Sequence, residues 1–175
     1  MLDEYITIEI VLNHKTERFS VTRTEDLATV LREQAGLGWP IGNEHNKEKC
    51  KRCKYRAFPI LLNGNVMNAN FIFARDANQS EIETIDSLIE TDLMKQLTAA
   101  FLKSNSNRYG YCVQGMEVAI YTLLQRDTLP TLEDIRRVSS GNLCECAGRE
   151  KIEKSVNALY KITCNLPNMA SNAMN

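Results

Sequence analysis

Two cysteines one residue apart, Cys144 and Cys146, stand between Gly141 and Gly148. Two thiols this close in sequence cannot form a disulfide with each other without severe strain. Both can point at a single inorganic centre if the backbone turns around it. Helix-like stretches flank the segment, and the backbone N–H groups at a helix start favour thiolates or bridging sulfides. The pattern indicates a pair of metal or cluster ligands; the alternative is a structural loop.

A second group of potential ligands lies in and just before the basic segment from Lys47 to Lys54: Cys50 and Cys53 are within it, and His45 precedes it by two residues. The Cys-x2-Cys spacing is common in zinc sites. No fourth ligand is visible in the sequence, so zinc is not expected. We favour a solvated basic loop at this position.

The overall composition excludes several classes of protein. The 175 residues are 43% hydrophobic and 25% charged, as in an ordinary globular protein. A net charge of −1 argues against a nucleic-acid-binding surface. No apolar run approaches the roughly 18 residues that cross a bilayer, and the N-terminus lacks a secretory signal. We therefore expect a cytoplasmic protein in which the six cysteines are ligands or core thiols.

Catalytic residues are not identifiable in this chain. Its two histidines, His14 and His45, provide little material for acid–base chemistry. Nucleophile-elbow, P-loop and Rossmann glycine patterns are absent from the sequence.

The elements that must position these cysteines follow from hydrophobic periodicity. The first part is β-rich, with a short helix that Thr24 is predicted to cap and Gly36 to end. The predicted strands are 5–12, 18–21, 58–62 and 66–73, the last two flanking the turn Asn63-Gly64.

After Ala77 the pattern changes to helices. The predicted helices are 91–103, 116–124, one that begins at a capping box at Thr131, and 150–161. Three divisions follow: an N-terminal domain over residues 1–77, a helical domain over 78–164, and a mobile tail over 165–175.

Several motifs in this order resemble the small iron–sulfur subunit of the molybdenum hydroxylases, the family of xanthine dehydrogenase, aldehyde oxidoreductase and carbon monoxide dehydrogenase. The resemblance covers nearly the whole chain, roughly Ile6 to Ile162. The matching motifs are Leu31-Arg32-Glu33-x-x-Gly36-Leu37, Leu61-Leu62-Asn63-Gly64, Gly110-x-Cys112-x-x-Gly115-Met116, Thr131-x-x-x-Ile135-Arg136 and Gly141-Asn142-Leu143-Cys144-x-Cys146-x-Gly148-x-x-x-Ile152.

The resemblance implies an α+β fold, with an N-terminal β-grasp ferredoxin-like domain followed by a C-terminal four-helix domain. In the family each domain holds one 2Fe–2S cluster. The resemblance also implies a large partner subunit that binds molybdopterin and a medium subunit that binds FAD.

The helical site departs from the family pattern at one ligand. The family takes two cysteines from Cys-Gly-x-Cys and two from Cys-x-Cys, whereas the first motif here reads Tyr109-Gly110-Tyr111-Cys112. Cys112, Cys144 and Cys146 remain, and Tyr109 occupies the fourth position. A phenolate could supply an oxygen to ferric iron, or the cysteines could be relics of a lost site.

The β-grasp site departs further. When the pattern is anchored on Leu61-Leu62-Asn63-Gly64, only Cys50 keeps its position, and the other ligands fall on Tyr55, Phe58 and Asn70. Anchoring on the cysteine pair gives His45, Cys50 and Cys53 without a fourth cysteine. The sequence therefore predicts that this first cluster is lost.

The leading hypothesis is an electron-transfer subunit that keeps one 2Fe–2S cluster and passes electrons from a molybdenum centre toward a flavin. The competing hypothesis is a cluster-free structural or regulatory subunit that docks to the same partners. A zinc-stabilised adaptor centred on Cys50 and Cys53 is the third.

Overall fold

The computed structural model describes residues 4–37, 58–103, 111–125 and 130–140. These residues form a mixed α+β protein that divides into two compact units. The first unit contains the described residues up to Ile89, and the second contains those from Glu90 onward. The predicted α+β class is confirmed.

A five-stranded sheet is the framework of the first unit. Its strands are β1 (Tyr5–Leu12), β2 (Lys15–Thr22), β3 (Pro59–Leu62), β4 (Asn65–Asn68) and β5 (Glu81–Thr84). Their order in space is β2-β1-β5-β3-β4. The β1–β5 pair is parallel, while the other neighbouring pairs are antiparallel.

One face of this sheet carries the core of the first unit. Side chains that alternate along β1 and β2 point to this face, as a half-buried sheet requires. Helix α1 (Leu27–Glu33) buries its apolar side against them. The central members of the cluster are Ile8, Ile10, Phe19, Val21, Leu27, Val30, Leu31, Ile60 and Ile82.

The β1–β2 turn is fixed by an asparagine. Asn13 and His14 have φ angles of 49° and 68°, a left-handed backbone that asparagine tolerates better than most residues. The Asn13 amide oxygen accepts from the Thr84 N–H at 2.9 Å, and its amide nitrogen donates to the Thr84 hydroxyl at 3.0 Å. Because Thr84 is fully buried, these bonds connect the turn to β5 below the surface.

The predicted cap of the first helix was wrong by two residues. Asp26, and not Thr24, is the N-cap, because it has an extended backbone and its carboxylate accepts from Thr29. The Thr29 N–H donates at 2.9 Å and the Thr29 hydroxyl at 2.8 Å. Thr24 lies in the turn that precedes the helix.

The predicted strand over 66–73 was wrong in its second half. β4 ends at Asn68, whose side chain caps a 3-10 turn over Ala69–Phe71. A second 3-10 turn, Ala74–Ala77, follows. Asparagine side chains that bond to nearby backbone groups compete with strand pairing in this way.

The change to helices predicted after Ala77 was also wrong for the next residues. β5 lies there, between β1 and β3, and the short helix α2 (Ile85–Leu88) follows it. Only four residues alternate between buried and exposed here, and a pattern this short is too weak to predict a strand from the sequence. The segment forms a strand because it pairs with β1 and β3.

Three helices make up the described part of the second unit: α3 (Asp92–Lys103), α4 (Tyr111–Leu124) and α5 (Leu132–Ser140). The predicted helix over 91–103 is confirmed, whereas α4 begins five residues before the predicted Met116. The capping box at Thr131 is confirmed by two reciprocal hydrogen bonds. The Asp134 N–H donates to the Thr131 hydroxyl at 3.1 Å. The Thr131 N–H donates to the Asp134 carboxylate at 2.9 Å. The predicted helix 150–161 and the tail 165–175 lie outside the described residues.

Across the four described ranges, none of the helices is long and apolar enough to cross a membrane.

The position of the cap can be tested with two substitutions. Asp26→Ala should lower the free energy of unfolding by about 1 kcal/mol, because two N-terminal hydrogen bonds of α1 are lost. Thr24→Ala, the matched control, should change it by less than about 0.5 kcal/mol. Chemical denaturation measures both. A larger loss from Thr24→Ala would contradict the observed cap.

Candidate metal centre

Cys112 is the one predicted cluster ligand in the described part of the chain. It is the second residue of α4, in the first turn of the helix. The N–H groups of a first helical turn have no partners within the helix and favour a nearby thiolate. Tyr109, Cys144 and Cys146 lie outside the described residues, so the convergence of these side chains with Cys112 stays a prediction.

The helix that carries Cys112 is buried on nearly all sides. From Gly115 to Leu124 only Thr122 is more than slightly exposed. Both α3 and α5 pack against α4. A helix that is apolar all round is typical of the centre of a helical unit. The buried partners are Met94, Leu97 and Phe101 on α3, and Ile135 on α5. This packing fixes the axis of the helix on which Cys112 lies.

A carboxyl group interrupts this apolar packing. Glu117 on α4 is only 5% exposed. Burial raises the pKa of Glu117 from 4.5 to about 7, and a hydrogen bond from the Thr98 side chain on α3 opposes the shift. The sequence analysis missed this group. One sign of its burial was present in the sequence: this glutamate lies between the apolar Met116 and Val118, and no basic residue stands three or four positions away on the helix.

In the first unit, two of the family ligand positions are described, and neither fits a cluster. In the register anchored on the β3–β4 hairpin these positions are Phe58 and Asn70. Phe58 is 5% exposed and belongs to the hydrophobic core. A phenyl ring has no nitrogen, oxygen or sulfur atom that could bind iron. His45, Cys50, Cys53 and Tyr55 lie outside the described residues.

Asn68 connects these two positions by hydrogen bonds. Its amide oxygen accepts from the Phe58 N–H at 3.1 Å, the Asn70 N–H at 3.2 Å and the Asn70 side-chain nitrogen at 2.9 Å. The Ala69 N–H donates to the Phe58 carbonyl at 2.9 Å in the same place. Neutral side chains and backbone groups therefore fill this part of the first unit. The sequence analysis missed the role of Asn68.

Within the described residues, no group of three or more His, Cys, Asp or Glu side chains could hold a metal ion.

Comparison with protein families identifies one domain. A family model described as a [2Fe-2S] binding domain matches residues 82–157. The match includes α3, α4, α5 and the segment that contains Cys144 and Cys146. It begins inside β5, so it includes the last strand of the first unit as well.

Two curated relatives match over most of the chain. The small FeS subunit of nicotinate dehydrogenase from Eubacterium barkeri is 31% identical over 151 residues, covering 86% of this chain and 92% of the relative. The xanthine dehydrogenase iron-sulfur-binding subunit of Escherichia coli O157:H7 is 28% identical over 155 residues, covering 87% and 93%.

A solved structure has the same fold over nearly all of its length. Quinoline 2-oxidoreductase from Pseudomonas putida 86 superposes with a TM-score of 0.66 and 27% identity. The superposition covers 92% of this chain and 97% of the matched chain.

The Asn68 hydrogen bonds predict a specific loss of stability. Asn68→Ala should lower the free energy of unfolding by about 1–3 kcal/mol, because three N–H donors lose their acceptor. Asn68→Asp, which keeps an acceptor oxygen, should recover part of this loss. Asn65→Ala on the same strand is the control. Thermal denaturation compares the three, and an Asn68→Ala protein as stable as the control would refute this role.

The buried carboxyl predicts a pH-dependent stability. The folded pKa of Glu117 lies above its unfolded value, so its contribution is present below about pH 4.5 and lost as pH rises through about 7. Glu117→Gln should therefore match the wild type in acid and be more stable above pH 7, by on the order of 3 kcal/mol. Urea titrations at several pH values measure this difference.

The control for this experiment is Glu133→Gln on α5, where the glutamate is exposed. Its stability should stay within about 0.5 kcal/mol of the wild type at every pH, because substitutions of exposed side chains change stability little. If Glu117→Gln behaves like this control, Glu117 is ionised in the folded protein and the raised pKa is wrong.

Proposed function

Because the chain belongs to the family of small iron–sulfur subunits of the molybdenum hydroxylases, we propose that it is the electron-transfer subunit of such an oxidoreductase complex. It has a β-grasp ferredoxin-like unit followed by a four-helix unit, and it keeps one 2Fe–2S cluster, in the helical unit. When bound, the cluster accepts and releases one electron at a time.

The observation that carries this proposal is the position of Cys112. It lies in the first turn of a buried helix, within the segment that matches the [2Fe-2S] binding domain. Cys144 and Cys146 lie in the same matched segment and supply two further thiolates. Tyr109 supplies the fourth donor. A free phenol has a pKa near about 10, so the iron must displace its proton.

The first unit works without a cluster in this proposal. Phe58 lies in the core, and Asn70 is bonded to Asn68, at two positions where the family has cysteines. Refilling the site would require the removal of a buried aromatic ring and of the Asn68 hydrogen bonds. The basic segment with Cys50 and Cys53 remains a solvated loop, and no zinc is bound there.

The partners are a large molybdopterin-binding subunit and a medium FAD-binding subunit. Two relatives that match most of the chain are named as a small FeS subunit of nicotinate dehydrogenase and an iron-sulfur-binding subunit of xanthine dehydrogenase. Substrate oxidation takes place in the large subunit, so this chain is not catalytic alone. Its own residues hold the electron carrier between the two partner sites.

A second candidate is a cluster-free scaffold that docks to the same large subunit. The replacement of family cysteines by Phe58 and Asn70, together with Tyr109 at the helical site, favours it. The two candidates differ in a directly measurable quantity, the iron content of the isolated chain.

Iron and acid-labile sulfide assays on anaerobically purified protein test the proposal. We expect about two irons and two sulfides per chain, as for one 2Fe–2S cluster. Cys112→Ser and Cys144→Ser should each lose most of this iron, because each removes a thiolate. The double variant Cys50→Ser, Cys53→Ser is the matched control and should keep it.

Each of the other outcomes supports a different function for this chain. Absence of iron from the wild type would contradict the electron-transfer role and support the scaffold. About four irons per chain would show that the first unit keeps its cluster. Metal that disappears only in the Cys50, Cys53 double variant would place the site in the basic loop.

A further inference from the structure

The turn between β3 and β4 contains a reactive pair of residues, Asn63-Gly64. This pair is the one Asn-Gly sequence in the 175 residues. Asparagine side chains are among the thermally labile groups of proteins. An asparagine followed by glycine is especially reactive, because no side chain shields the backbone nitrogen that attacks the asparagine carboxamide. The electron-transfer role does not use this pair.

Solvent surrounds this turn. Asn63 and Gly64 are exposed, and no described atom beyond its chain neighbours lies within 4 Å of where a side-chain carbon at Gly64 would stand. The turn is tight, with φ angles of 50° at Asn63 and 75° at Gly64, as in two-residue hairpin turns. The paired strands begin directly on either side, at Leu62 and Asn65. The water that deamidation consumes can therefore reach the turn.

Hydrogen bonds hold the Asn63 carboxamide against the start of β5. Its oxygen accepts from the Glu81 N–H at 2.9 Å, and its nitrogen donates to the Ser80 hydroxyl at 3.3 Å. The Asn63 N–H donates to the Glu81 carbonyl at 2.8 Å. The Asn63 carbonyl accepts from the Asn65 side-chain nitrogen at 3.2 Å. Both the side chain and the backbone of Asn63 are thus fixed in the folded hairpin.

We infer that Asn63 is a site of spontaneous deamidation and that the reaction proceeds from molecules in which its side chain has left β5. In this reaction the Gly64 nitrogen attacks the side-chain carbonyl carbon of Asn63. The new C–N bond closes a five-membered succinimide ring, and the carboxamide C–N bond breaks. The Gly64 proton leaves with the departing group as ammonia. One water molecule then opens the ring, at the side-chain carbonyl to give aspartate or at the main-chain carbonyl to give isoaspartate.

The physical basis is a conflict between ring closure and the hydrogen bonds of the turn. Closure brings the carboxamide carbon onto the Gly64 nitrogen and turns the peptide group between the two residues, so the bonds to Glu81, Ser80 and Asn65 must break. Asn63 directly follows the last residue of β3, so it can open at the end of the ladder while the core of the first unit stays folded. The inference does not depend on an iron–sulfur cluster.

Either product weakens the attachment of the hairpin to β5. Aspartate at position 63 has no amide hydrogen for the Ser80 hydroxyl. Isoaspartate adds a carbon atom to the main chain of a two-residue turn, so Leu62 and Asn65 can no longer pair as they do. The modification therefore loosens the hairpin further, and refolding does not reverse it.

The test is mass spectrometry of proteolytic peptides from the full chain after incubation at mildly alkaline pH. The peptide that contains Asn63 gains mass when the amide becomes an acid, and chromatography separates its aspartate and isoaspartate forms. In guanidinium chloride, where the chain is unfolded, Asn63 should be the fastest-reacting asparagine. In the folded protein it should react at least about tenfold more slowly, because the hairpin is open only part of the time. Equal rates in the two conditions would overturn the inference.

Two variants separate local opening from global unfolding. Ser80→Ala removes the acceptor of the Asn63 amide and should raise the rate in the folded protein by roughly two- to fivefold. Asp26→Ala, the matched control, weakens the cap of α1 and leaves the hairpin bonds in place, so its rate should equal that of the wild type. A Ser80→Ala rate equal to the wild-type rate, or an equal increase in both variants, would contradict deamidation through local opening.

Discussion

Burial of α4 on nearly every side from Gly115 to Leu124 is the constraint that organises the second unit. An apolar helix of this length cannot remain in water, so the helices before and after it in the chain must cover it. The packing fixes the helix axis and therefore the first turn, where Cys112 lies. It also encloses Glu117, whose carboxyl must be neutral or unfavourably charged. The position of Cys112 at the start of the helix and the raised pKa of Glu117 thus follow from one packing arrangement.

The first unit is held together by a different kind of interaction. Its sheet is closed by short turns in which asparagine side chains bond to the backbone or side chains of neighbouring segments. Asn13 connects the first hairpin to Thr84, Asn63 accepts from the Glu81 N–H at 2.9 Å, and Asn68 joins Phe58 to Asn70. These bonds, together with the core that contains Phe58, stabilise the first unit.

The sequence predicted the framework well where hydrophobic periodicity was long. The strand Tyr5–Leu12 and the helix Asp92–Lys103 are examples, because many buried residues support each assignment. It failed where single polar side chains decide the local structure. Asp26 takes the cap in place of Thr24, Asn68 ends a strand early, and the four-residue β5 exists because β1 and β3 pair with it.

Cysteine spacing predicts Cys112, Cys144 and Cys146 as ligands, since thiolates at short intervals have few other uses in such a pattern. Cys144 and Cys146 lie outside the described residues, so the shared site stays a prediction. Residue type also indicated that Phe58 cannot bind iron, and the structure places Phe58 in the hydrophobic core. Glu117 could not be recognised as buried from residue type alone, because a helical glutamate is usually exposed. Its burial depends on how three helices meet.

The central claim is that this chain holds one electron carrier, in its helical unit, where the family has two. Low-temperature electron paramagnetic resonance of the dithionite-reduced full chain tests it most directly. The account predicts a single rhombic two-iron signal that integrates to about one spin per chain, since a reduced 2Fe–2S cluster is paramagnetic. Two distinct signals, or a featureless spectrum from protein purified without oxygen, would contradict it.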